Sequence, residues 1–129
     1  MTTEHPAISA AGWLERLAQL AVRQGVHIAT LQQKDGRDLE LVFATASLFF
    51  PADRLLDERG ANAVLKEFLA TAGAMLDTDH VELRRWLVDT GFVRRTDFGA
   101  DYRRGTLPAW LEQPAHTWEE IQPILRERA

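Results

Sequence analysis

Residues 79–104 read DHVELRRWLVDTGFVRRTDFGADYRR, and the fold turns on how this stretch divides. Asp79 and Glu82 have capping-box spacing, and an acid suits the positive end of a helix dipole, so a helix is expected to open at Asp79. Leu83, Trp86 and Leu87 recur at helical spacing and mark its buried stripe. Gly91 is the stop signal. FVRR and DYRR then flank TDFGA, which reads as a short antiparallel hairpin around a glycine-containing turn.

Upstream, Val64, Leu65, Phe68, Leu69 and Ala72 share one side of a helix over about residues 58–72, with Gly73 to end it. Pro51 argues that SLFFPADRLLDERG, before it, is a connection. Helix, short connection, helix and two-stranded hairpin is the order of a winged-helix domain. In such domains the helix before the hairpin often lies in the DNA major groove, while the wing touches backbone. The expected core of the unit is Leu65, Phe68, Leu69, Leu83, Leu87 and Phe92.

Further out, Trp13, Leu14, Leu17, Leu20 and Ala21 predict a one-sided helix over residues 8–24, stopped at Gly25. VHIATLQQ and DLELVFA flank KDGR. Asp-Gly tolerates positive φ at both central turn positions, so a hairpin over residues 26–43 turning at Asp35-Gly36 is expected. Leu39, Leu41 and Phe43 alternate as a half-buried strand would. Downstream, Pro108 and Pro114 mark a connection. Thr117 and Glu120 form a second capping box before Trp118, Ile121, Ile124 and Leu125, with Pro123 set to kink that helix. The expected class is α+β: a winged-helix-like helix–helix–hairpin unit with an N-terminal helix plus β-hairpin and a short C-terminal helix. The division is residues 1–50 for the N-terminal helix and hairpin, and 51–129 for the rest.

The chain has 129 residues, 46% of them hydrophobic, enough for a core. Its opening, MTTEHPAISAAGW, lacks the basic start and apolar run of a secretory signal. The most apolar stretch, Leu39 to Pro51, is well short of the roughly 20 residues a membrane helix needs, so a soluble cytoplasmic protein without membrane contact is expected. With no cysteine, disulfides, thiolate zinc sites and cysteine nucleophiles are excluded. His5, His27, His80 and His116 are scattered, and helix capping accounts for Asp79 beside Asp77 and His80, so no metal is expected. Asp97-Phe98-Gly99 matches a kinase tag without the glycine-rich or catalytic loops, and Ser9 and Ser47 lack a nucleophile elbow. No phosphate-binding or dinucleotide glycine motif is present. The expectation is a non-enzyme with no catalytic residues and no cofactor.

The net charge of −4 is uneven. Residues 1–83 carry seven basic and twelve acidic side chains. Residues 84–104 carry six arginines against Asp89, Asp97 and Asp101, and residues 105–129 are again acidic. The positive charge is local to the opening stretch.

That stretch also resembles the domain-of-unknown-function family 2087. The family pattern is Leu-Arg-Arg, Leu-Val-Asp, Gly, then Arg, a glycine turn and Tyr-Arg. Here it falls on Leu83, Arg84, Arg85, Leu87, Val88, Asp89, Gly91, Arg95, Gly99, Tyr102 and Arg103. The likeness is specific over residues 79–104, fades over 58–78 and does not cover the first 50. It implies a small winged-helix-like domain, often attached to bacterial transcription regulators. The family's usual basic cluster before its first helix is replaced by the near-neutral ADRLLDERG.

Two functional readings remain open. The first is a DNA-binding, transcription-regulatory module that contacts nucleic acid weakly through the wing, with Arg84, Arg94, Arg95, Tyr102, Arg103 and Arg104 as the binding residues. Arg85 lies three residues from Glu82 and four from Asp89, which is expected to keep it occupied on its own helix. From Asp79 to Gly91 two arginines face three acids, a poor major-groove helix, whereas residues 94–104 hold four arginines against two aspartates. The second is a protein-interaction or effector-sensing module of winged-helix shape without DNA affinity. A homodimer is expected, and in the second reading Trp110, Leu111 and Trp118 contribute to its contact.

Overall fold

The computed structural model describes residues 10–34, 36–96, 101–108, 110–111, 118–120 and 122–123. Its elements run α1 (Ala10–Ala21), α2 (Ile28–Lys34), α3 (Gly36–Leu48), α4 (Glu58–Ala70), α5 (His80–Asp89), β1 (Val93–Arg95) and β2 (Tyr102–Arg104). The protein is α+β, and α4, α5 and the β1–β2 ribbon form the expected winged-helix-like unit.

One expectation is overturned. Residues 26–43 are not a hairpin: α2 and α3 occupy them, and Gly36 begins α3 without a positive φ. Asp35 lies outside the described residues. In α2, Ile28 and Leu31 are buried one helical step apart while Ala29, Thr30, Gln32 and Gln33 face solvent. In α3, every residue except Gly36, Arg37 and Glu40 is buried. A helix buried on all sides has no polar face, so its sequence shows neither helical nor strand periodicity clearly, and the local alternation of Leu39, Leu41 and Phe43 is incidental.

The protein is organised around α3. On one side, α1 buries Trp13, Leu17 and Leu20. The Trp13 indole N–H donates to Thr45 Oγ1 at 3.1 Å, and that hydroxyl donates to the Leu41 carbonyl at 2.8 Å. An Arg16–Asp38 ion pair joins α1 to the first turn of α3. On the other side, the Phe43 ring meets the edge of Phe92, with centroids 5.6 Å apart, and tilts against Trp86 at 6.4 Å. A single hydrophobic cluster runs from Trp13 to Trp118. α1 ends at Ala21, short of the expected stop at Gly25, which instead takes a φ of 67° as the chain enters a parallel bridge between Val26 and Leu76.

The helices of the unit start and stop where their capping residues dictate. Asp57 accepts from the Gly60 amide at 2.7 Å, and Asp79 accepts from the Glu82 amide at 2.8 Å. A Cβ on Gly73 would lie 2.3 Å from the Phe68 ring, so only glycine fits where α4 turns off. Gly91, at φ 84°, releases the chain from α5 into the ribbon. Leu65, Phe68, Leu83, Leu87 and Phe92 are buried as predicted, whereas Leu69 is only partly so.

The ribbon is antiparallel, with Val93 opposite Arg104, Arg94 opposite Arg103 and Arg95 opposite Tyr102. Leu56, in the connection before α4, adds to the free edge of β2. Its amide donates to the Tyr102 carbonyl at 2.8 Å, and the Tyr102 amide donates back at 2.7 Å. The turn residues 97–100 lie outside the described residues. So does most of the expected C-terminal helix, from Thr117 through Ile121 to Ile124 and Leu125; residues 118–120 and 122–123 are helical.

Candidate nucleic-acid interface

Alternation along β1 and β2 sorts five of the six residues expected to meet nucleic acid, while Arg84 lies on α5. Val93 and Tyr102 point inward and are buried. Tyr102, at 3% exposure, is a core residue, not a contact residue. Arg104 shares the inward parity of Val93. Its Nε donates to the Phe50 carbonyl at 2.7 Å and its Nη2 to the Leu48 carbonyl at 2.9 Å. Those groups end α3, so Arg104 clamps the wing to the C-terminus of the central helix, where a cation also suits the dipole. Burial lowers its pKa below the ordinary arginine value, while Glu119 acts in the opposite direction.

Arg84 and Arg85 exchange the parts expected of them. Arg84, which spacing leaves free, is the engaged one. It donates through Nη1 to Asn62 Oδ1 on α4, lies 3.3 Å from Glu58 Oε1, and its guanidinium sits 5.5 Å from the centroid of Tyr102. Its side chain is 18% exposed. Arg85 is exposed and forms no ion pair with Glu82 or Asp89; Glu82 instead accepts from Thr78 Oγ1 at 3.0 Å. The reason is rotational. Arg84 faces α4, which supplies partners 22 and 26 residues back in the chain, whereas Arg85 projects to solvent from the side opposite Leu83 and Leu87. A helical projection of residues 79–91 reveals the exposure of Arg85. Nothing in the local sequence signals Asn62.

Arg94, Arg95 and Arg103 remain exposed. Arg94 and Arg103 are direct cross-strand partners on the outer face, and among the described residues no carboxylate forms an ion pair with either. Asp101 shares that face two residues from Arg103. The outward side of α5 carries Glu82 and Asp89 beside Arg85, so the helix is not a basic surface.

The contact set drawn from sequence therefore divides in half. Arg94, Arg95 and Arg103 are available to a ligand, and Arg84, Tyr102 and Arg104 hold the fold. Leu111 and Trp118 are buried in the chain's own core. The Trp110 indole donates to Glu40 Oε2 at 2.6 Å with Arg37 over its ring, so these three side chains are engaged within the chain. Asp77 lies 3.6 Å from His27 and Asp79 caps α5, and no group of three or more metal-ligating side chains occurs among the described residues. No helix among them is long and apolar enough to cross a membrane.

Residues 27–104 match the family described as "Uncharacterized protein conserved in bacteria (DUF2087)". The matched span opens just before α2 and closes with β2, so it takes in the central helix α3 as well as the ribbon. No curated protein and no solved structure matches the chain.

Proposed function

The chain belongs to the DUF2087 family, and from the arrangement of its ribbon we propose that it is a non-enzymatic, winged-helix-like DNA-binding module of a bacterial transcription-regulatory system. The observation that carries this reading is the Arg94–Arg103 pair. Like charges directly opposite on neighbouring strands destabilise a ribbon, yet the two arginines stand opposed on its exposed face with no ion-paired carboxylate among the described residues. A phosphate placed between them removes the repulsion and gains charge-assisted hydrogen bonds.

The contact is small. Arg94, Arg95 and Arg103 neutralise at most three phosphates, which corresponds to a logarithmic salt slope of about −2.7 per protomer. A dimer doubles that, and useful affinity depends on such doubling or on a partner domain that reads bases. The outward acids of α5 fit this picture, since they disfavour deep insertion of the helix among phosphates.

The same acids, with the net charge of −4, favour the second reading, a protein-interaction or effector-sensing module. Titration of a labelled duplex at low salt separates the two. The DNA reading expects salt-sensitive binding that falls alike on unrelated sequences when Arg94 and Arg103 become alanine. Absence of binding at about 100 μM protein, the weak end of non-specific affinity, gives the case to the second reading.

A further inference from the structure

The other face of the ribbon turns toward α5, and the two enclose a cleft of 250 Å³. Its base holds Tyr102 and Arg84, its rim holds Arg85 and Arg95, and Val81 and Val88 form apolar walls beside Asp89. Three arginines from two separate elements therefore line one small space, with Asp89 the one carboxylate in its lining among the described residues. Arg84 is already fixed by Asn62, by Glu58 and by the ring of Tyr102. Arg85 and Arg95 are exposed, with no hydrogen bond or ion pair among the described residues.

The volume limits the ligand. Pockets for whole cofactors or drug-sized molecules begin at about 300 Å³, so the cleft suits an anionic group, not a complete cofactor. The directions of approach limit its shape. One arginine fork satisfies a planar carboxylate, whereas cations arriving from a helix and a strand match a tetrahedral anion with several acceptor oxygens.

We infer that the cleft between α5 and the ribbon is a seat for a phosphate group, with Arg85 and Arg95 as its direct ligands and Arg84 as a fixed cation at its base. Glu58 tempers the charge of Arg84, and Asp89 opposes the anion, so the seat is of modest affinity. It is separate from the outer pair, because Arg94 and Arg103 lie on the opposite face of the ribbon. The inference deepens the DNA reading where the phosphate is a backbone phosphodiester; a free phosphorylated small molecule offers the same chemistry.

The test is nuclear magnetic resonance of the isotopically labelled full chain, titrated with inorganic phosphate against chloride at matched ionic strength. The arginine Nε–H signals are the readout. Saturable shifts at Arg85 and Arg95 that chloride does not reproduce are expected. Arg95→Gln and Arg85→Gln should each weaken phosphate binding by about tenfold, the loss of one charge-assisted contact. The double change Arg94→Ala and Arg103→Ala should leave the shifts at Arg85 and Arg95 unaltered, and Asp89→Asn should strengthen binding there. Shifts that chloride matches, or that survive Arg95→Gln and Arg85→Gln, overturn the inference whatever the duplex result. Duplex binding that free phosphate competes away and Arg95→Gln weakens supports the seat and identifies its phosphate as backbone. A saturable seat in a protein that binds no duplex supports the seat, assigns it to a free phosphorylated molecule and overturns the DNA reading alone.

Discussion

Arg104→Met separates a structural arginine from an exposed one within a single dipeptide. The amides of Phe49 and Phe50 donate to the carbonyls of Ala46 and Ser47 as α3 ends, and the guanidinium of Arg104 takes the carbonyls of Leu48 and Phe50. A hydrogen bond to a charged group contributes about 1.5–3 kcal/mol, so two amount to about 3–6 kcal/mol before the cost of burying the cation. That cost is visible in the lowered pKa of Arg104. The unfolded chain holds this proton more tightly, so the penalty applies in full below both pKa values, is the same at pH 5 and pH 9, and lifts only in strong alkali. Methionine keeps the apolar stem and loses the head. The expected net loss is about 2–4 kcal/mol, or roughly 10 °C in Tm. Urea unfolding followed by tryptophan fluorescence should show a lower midpoint at unchanged slope. Arg103→Met, on the exposed face, should stay within about 0.5 kcal/mol of the parent. Equal losses for the two variants, or a change under about 0.5 kcal/mol for Arg104→Met, would refute the clamp.

The remaining expectations concern the core and the ribbon. Leu87 is fully buried, so Leu87→Ala should cost about 2–5 kcal/mol by urea unfolding, and a loss well under 1 kcal/mol would remove it from the core. Ser47 is buried on α3 and its Oγ has no hydrogen-bond partner among the described residues, so Ser47→Ala should be neutral or stabilising by up to about 1 kcal/mol; clear destabilisation would reveal a hidden partner. A Cβ on Gly105 would lie 2.0 Å from the Gly91 carbonyl oxygen, a backbone atom that cannot turn aside. Gly105→Ala should therefore cost about 1–3 kcal/mol or more and broaden amide signals along the ribbon, whereas unchanged stability would mean that the strands separate easily there.

The C-terminal unit was legible because its signals are local. Asp79, Glu82 and Gly91 bracket α5 by backbone chemistry that needs no knowledge of the rest of the chain. Residues 26–48 were not legible in the same way. Asp-Gly between two apolar runs is a hairpin signal only where the runs become strands, and here the second run is wrapped by α1 on one side and by α5 and the ribbon on the other. Length was the better arbiter. The apolar run from Leu39 to Phe50 exceeds the usual four to eight residues of a strand and suits a helix buried all round. The pairing of Leu56 with Tyr102 left no trace in sequence, because a single residue added to a strand edge has no periodicity.

The candidate site followed a different logic. Counting charge points to residues 84–104, but counting cannot tell which arginines are committed to the fold. Alternation supplies part of the answer. Tyr102 and Arg104 lie two residues apart and share a face; since an aromatic side chain in so short a ribbon is its natural anchor, Arg104 is carried inward with it. That leaves Arg103, and opposite it Arg94, on the outer face. The same reasoning separates Arg95 from Arg94 and turns it toward α5, where the rotation of the helix brings Arg85. Two arginine-bearing surfaces thus arise from adjacent residues because a strand sends neighbours to opposite sides. Arg94→Ala and Arg95→Ala, one residue apart, should therefore differ in kind: the first should weaken duplex binding without altering the response of Arg85 to free phosphate, and the second should weaken that response. Identical behaviour of the two variants would mean that the ribbon presents one surface, not two.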